Sequence, residues 1–134
     1  MNSNTILNAV ELGKRMKHVF VATADSRGLP HLAAAGTISA VSESHIAIEA
    51  WFCPGTVQNI LCNSLISVVA WDPATDIGHQ ILGEIEKIEE TAMTDGFSPD
   101  IETKAQFPQT ERKLIIRVDK VLAFSHAPHS DVVE

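Results

Sequence analysis

The sequence predicts a mainly β protein with short helices, a six-stranded antiparallel sheet closing into a small barrel. Three observations lead there. Stretches of period-two apolar alternation recur along the chain, as in Ile46, Ile48, Ala50 and Phe52 set against Ala47, Glu49 and Trp51. Regular helical spacing of apolar residues marks two places, one at the start of the chain and one between the third and fourth strands. A long strand is broken at Gly83, where a bulge or a barrel corner is the natural cause.

Composition sets the outer limits. The 134 residues are long enough for one domain with a real core, taken as residues 1–134, and too short for two. Ten basic and seventeen acidic side chains leave a net charge of −7, which argues against a nucleic-acid backbone or an anionic membrane surface as the main partner. The polar opening MNSNT has no signal-peptide character, and no apolar run is long enough to span a bilayer; a cytoplasmic protein is expected. Cys53 and Cys62 have neither metal-ligand spacing nor a CxxC arrangement, and read as small buried residues in a reducing compartment.

The elements follow in order. Ile6, Leu7, Val10, Leu12 and Met16 space a helix over Asn4–Lys17, closed by the basic cluster Lys14, Arg15, Lys17. Val19–Ala24 is apolar at nearly every position and reads as a covered strand. Asp25-Ser26-Arg27-Gly28 turns the chain into a second strand that starts near Leu29 or Pro30. That strand carries Ala33, Ala34, Ala35 and Gly36, which leave a sheet face open for a neighbouring element or a flat ligand.

The third strand runs from His45 and stops at Pro54-Gly55. Pro54 suits a helix start, Gly55 admits close approach to the backbone, and Thr56 is placed to cap the helix over Thr56–Asn63. A helix N-terminus offers unpaired N–H groups, so this corner reads either as a plain capped turn or as an anion site. Leu65–Asp72 and Ile77–Glu89 are the next strands, and Leu114–Phe124 alternates through the last. Thr91–Thr110 reads as a helical surface excursion, and the tail from Ser125 as polar and loose.

Several chemistries lack their motifs. There is no GxSxG, GxGxxG or P-loop. His126 and His129 have metal-like spacing but no carboxylate or thiolate partner nearby, so no metal site is expected. Glu84, Glu86, Glu89 and Glu90 read as the wet face of a strand, and Trp51 and Trp71 as packing residues. Gln80 can aim an amide donor and acceptor at a ligand edge.

The blocks VFVATADSRGLPHLAAAG, IAIEAWFCPGTVQNI, SVVAWDP and GHQILGEIE, in that order and spacing, resemble the FMN-binding split-barrel family. That family includes the pyridoxamine 5'-phosphate oxidases and small FMN-binding proteins. The resemblance covers about residues 14 to 90 and implies a split-barrel homodimer with FMN at the subunit interface. It implies that Ala33, Ala34, Ala35 and Gly36 lie beside the isoalloxazine ring, and that Glu49, Ala50, Trp51 and Phe52 line its edge through backbone groups. It places Gly55 and Thr56 on the phosphate, Asn59 behind that turn, Gln80 facing the flavin, and Trp71 in the dimer partner or behind the ring. Gly55 stands where members commonly carry Lys or Arg, and Ala34 and Ala35 where a hydroxyl or a base is frequent. The implied activity is flavin-dependent oxidoreduction or electron transfer with an unknown substrate. The rival from another class is a split-barrel dimer that has lost tight FMN binding and acts as a ligand sensor or a structural protein. Haem held by a histidine such as His79 is a third reading.

Overall fold

Gly36 decides the architecture. In the computed structural model, which describes residues 3–93, 110–128 and 131–134, the expected second strand is two strands that part at this glycine. The elements are α1 (Ser3–Met16), β1 (Val19–Ala24), β2 (Pro30–Ala35), β3 (Thr37–Ala40), β4 (His45–Trp51), α2 (Pro54–Cys62), β5 (Leu65–Asp72), β6 (Ile77–Met93) and β7 (Thr110–Ala123). They form one antiparallel sheet in the order β2-β1-β5-β6-β7-β4-β3. Its two end strands are consecutive in the chain and joined by Gly36 alone, so the sheet curls until its ends meet. A Cβ at Gly36 would stand 3.4 Å from the Glu49 carbonyl oxygen, which shows how closely β4 passes that corner. The expectation of six strands therefore becomes seven, because one apolar stretch serves both ends of the sheet.

The second expected irregularity is present. The β6–β7 register shifts between Leu82 and Gly83, and a Cβ at Gly83 would collide with the Arg117 carbonyl oxygen. Two further shifts follow, between Ile85 and Lys87 and between Glu90 and Ala92. Each adds bend and twist to a long ladder. β6 runs on to Met93 and β7 begins at Thr110, so the excursion expected over Thr91–Thr110 starts and ends as strand; its middle lies outside the described residues.

The core fills the inside of the curl. Ile38, Ile46, Ile48, Ile81, Leu114 and Ile116 are fully buried there. α1 lies against this core through Ile6, Ala9, Val10 and Leu12, and Gly13 lets it approach: a Cβ there would sit 2.6 Å from Ile38 Cγ2 and 3.0 Å from Val19 Cγ1. The helix ends where Lys17 turns to φ 66° and donates its N–H to the Gly13 carbonyl at 3.0 Å, an αL stop. The tail is fastened rather than loose. His126 and Ala127 donate their N–H groups to the Asp76 carboxylate at 2.7 and 2.9 Å, and Val133 bridges Leu122. These anchors are side-chain acceptors and a free strand edge, which composition does not announce.

Candidate functional site

The strand–helix corner begins one turn from where its hydroxyl suggested. α2 starts at Pro54, with Cys53 as N-cap and no side-chain hydrogen bond capping the helix. Proline at the first position has no N–H to satisfy and a backbone angle already set for the helix, so it starts the turn early. Thr56 is consequently inside the first turn and fully buried, not the cap. Its Oγ1 lies 3.1 Å from Cys53 Sγ and 3.4 Å from His31 Nδ1. One turn on, buried Asn59 donates from Nδ2 to Thr23 Oγ1 at 3.1 Å.

These contacts follow from the β1–β2 hairpin. Asp25 Oδ1 accepts the N–H groups of Arg27 and Leu29 at 2.8 and 2.9 Å, and Gly28 takes φ 89°, which only glycine adopts freely. The turn sets His31 opposite Thr23, Ala33 opposite Val21 and Ala35 opposite Val19. Directly opposed residues share a face, so His31, Ala33 and Ala35 point inward with the buried β1 side chains. α2 rests on that inner face. The His31 ring lies over the helix start, with Nε2 3.2 Å from the place of a Gly55 Cβ.

The outer face is different in kind. Two rows cross five strands in register: Ala34, Phe20, Val69, Gln80, Leu122, and Leu32, Ala22, Ser67, Leu82, Lys120. They are mostly apolar, and Leu32 is 65% exposed. β1 is therefore covered on one face only, where its composition suggested cover on both. A hollow of about 450 Å³ opens over the second row, lined by Ala22, Ala24, Leu65, Ser67 and Leu82, with Asp119 and Lys120 also bordering it. Gln80, in the first row, donates from Nε2 to Ser67 Oγ in the second at 2.8 Å.

The expected site residues thus fall into two groups. Gly55, Thr56 and Asn59 gather at the start of α2 against His31 and Thr23, and Ala33 and Ala35 follow His31 along the same inner face of β2. Gly36 adjoins them through β4, because Glu49 pairs with Thr37 and the chain runs on through Ala50, Trp51 and Phe52 into Pro54. Phe52 is buried in the core, Ala50 packs against it, and Trp51 is 44% exposed. Ala34 and Gln80 occupy the outer face, in one row but three strand spacings apart, about 14 Å. Gln80 and Thr56 lie on opposite faces of the sheet.

Other expectations are corrected or refined. Both cysteines are free and exposed: Cys53 occupies the cap position and Cys62 the last residue of α2, at the ends of the helix rather than on its packed side. The acidic run is a paired network, since Arg117 reaches Glu84 at 3.0 Å and Glu86 at 3.4 Å, while His45 Nε2 meets Glu86 at 2.6 Å. Trp71 donates to Asp76 at 3.0 Å and stands edge-on to Phe124, centroids 5.9 Å apart. His79 meets Glu134 through Nδ1 at 2.7 Å. His31 was the residue missed. It lies 25 positions from Thr56, and only the hairpin register, read with the Thr23–Asn59 bond, brings it to the helix.

No family model matches the sequence, and no curated protein matches it. Solved structures do. A protein related to general stress protein 26, of the pyridoxinephosphate oxidase family, from Clostridium acetobutylicum aligns over 94% of this chain and 92% of its own, at 15% identity and TM-score 0.62. An FMN-binding protein from Syntrophomonas wolfei aligns over 92% and 88%, at 14% identity and TM-score 0.63. HutZ, the heme storage protein from Vibrio cholerae, aligns over 92% and 96%, at 12% identity and TM-score 0.57. Such identities establish the fold and leave the ligand to the residues. The chain has the split-barrel fold of the pyridoxamine 5'-phosphate oxidase-like proteins.

Proposed function

We propose that this protein binds FMN at the start of α2, works as a homodimer joined through the outer sheet face, and uses the flavin in oxidation, reduction or electron transfer. One observation carries the reading. On a fold that FMN-binding proteins share, the helix start has no side-chain cap and lies beside a strand of minimal side chains. Uncapped N–H groups at a helix start need an acceptor, and a phosphate supplies one. The residues fit that group: first-turn N–H groups and Gly55 to receive it, with Thr56 and Asn59 bracing the turn from within. Ala33, on the helix side of β2, and Gly36 leave space for a flat ring above buried Ala35, and the backbone of Ala50, Trp51 and Phe52 borders it; Ala34, on the outer face like Gln80, would meet a flavin only across the dimer.

Gln80 faces away from this helix, so in this reading it reaches a flavin across the dimer, from the other subunit. The apolar outer rows support such a pairing, since they run as one apolar surface from Leu32, which is 65% exposed, and such surfaces mark contact sites. Bound flavin supplies the hydride or electron transfer; the protein holds it, shields it and tunes it by hydrogen bonds. A visible absorption spectrum of the protein, taken before and after FMN addition and gel filtration, tests the proposal. Flavin absorbance that travels with a dimer is the expected result. A colourless protein that elutes free of added micromolar FMN contradicts it and leaves the lost-flavin dimer in its place.

A further inference from the structure

We infer that His31 is the cation of the anion site at the start of α2, standing in from β2 for a basic side chain that Gly55 does not provide. The inference rests on the flavin reading above and names the residue that receives the phosphate charge. The geometry carries it. The His31 ring occupies the space into which any side chain at position 55 would project, with Nε2 3.2 Å from that Cβ place. Gly55 is therefore the residue that makes room for the imidazole. Thr56 is fully buried and reaches His31 Nδ1 at 3.4 Å, so its hydroxyl steadies the ring and leaves Nε2 over the helix start.

The surroundings leave the ring free to act on an anion. Its partner across β1 is Thr23, uncharged and bonded to Asn59. From α2 it meets Gly55 and Thr56, and beyond Thr56 the Cys53 thiol. On β4 the charged residue is Glu49, paired with Lys113 at 3.9 Å and opposite Thr37, beyond the far end of β2 from His31. Among the described residues no carboxylate pairs with His31.

The test measures FMN and riboflavin affinity by quenching of flavin fluorescence, at pH 6, for the wild type and His31→Gln. Loss of a charge-assisted bond predicts FMN binding about tenfold weaker in His31→Gln. Riboflavin, which lacks the phosphate, binds both proteins alike. Equal FMN affinity in the two proteins, with FMN still preferred over riboflavin, overturns the role of His31 and leaves the flavin reading standing. Failure of the wild type to bind either flavin overturns both. A double variant, His31→Ala with Gly55→Lys, clears the ring and moves the cation back to the helix. It regains FMN affinity. A well-folded double variant, by circular dichroism, that gains nothing over His31→Ala alone overturns the placement.

Discussion

The two sides of β2 make different demands on the protein. Facing inward, His31, Ala33 and Ala35 meet β1, and His31 meets the start of α2, where the polar groups pair among themselves: Thr56 with His31 and Cys53, Asn59 with Thr23. Facing outward, Leu32 and Ala34 begin two rows that cross five strands with few polar atoms. Strand geometry alone separates the two, because successive side chains point to opposite faces. The inner side suits a small charged group recognised by direction. The outer side suits a large surface recognised by area. A ligand that needs both must sit at an edge or draw on a second subunit.

The largest expected effect breaks the outer side. Ala22→Arg places a charge in the middle of the second row, and burying it unpaired in an interface costs several kcal/mol. The proposed dimer should weaken more than about a hundredfold by sedimentation, while the far-ultraviolet circular dichroism of the chain is kept. A dimer that survives moves the interface elsewhere. Neighbours on β6 sharpen the contrast next. Ile81 is buried inside and Gln80 lies outside, so Ile81→Ala should cost about 2–5 kcal/mol in denaturant unfolding, and Gln80→Ala less than about 1 kcal/mol. Similar losses would mean that the outer face is already part of a core.

A third variant probes the inner polar pairing. Asn59→Ala leaves the buried Thr23 hydroxyl without its donor and should cost about 1–3 kcal/mol. Gly13→Ala is of similar size with a different cause. Helix propensity would favour alanine by roughly 0.5–1 kcal/mol, yet the Cβ would meet Ile38 Cγ2, and overpacking costs about 1–3 kcal/mol. Net stabilisation would show that α1 can move off the sheet freely.

The smallest effect concerns acid. The His126 N–H, with that of Ala127 and the Trp71 ring N–H, holds the Asp76 carboxyl below its ordinary value of 3.8. A carboxyl lowered by folding contributes stability at higher pH and loses it as pH falls through the folded value. The tail should therefore stay attached down to below about pH 4 and release under stronger acid. Asp76→Asn should speed amide exchange at His126 and Ala127 at neutral pH; unchanged exchange would show that the tail is held by its pairing with β7 alone.

Much of the fold was legible because its causes are local. Alternation marks the strands, Gly83 marks a bulge, and Pro54 marks a helix start. The seventh strand was hidden because β2 and β3 form one apolar stretch, and only their different partners divide it. At the site, Gly55, Thr56 and Asn59 were legible as a strand–helix corner. The inward turn of Thr56 was not, because it depends on which residue begins the helix. His31 was hidden for a second reason: its role depends on hairpin register and on a helix lying across it, both long-range. The anchored tail depends on Asp76, a turn residue whose acceptors are visible only once the chain has folded back.

The most direct test of the account compares FMN with riboflavin on the unaltered protein, by equilibrium titration at pH 7 and low salt. Phosphate held at the start of α2 predicts FMN binding at least about tenfold tighter than riboflavin, at one flavin per subunit. Equal affinity for the two would mean that the helix start holds no phosphate, and would contradict the account at its centre.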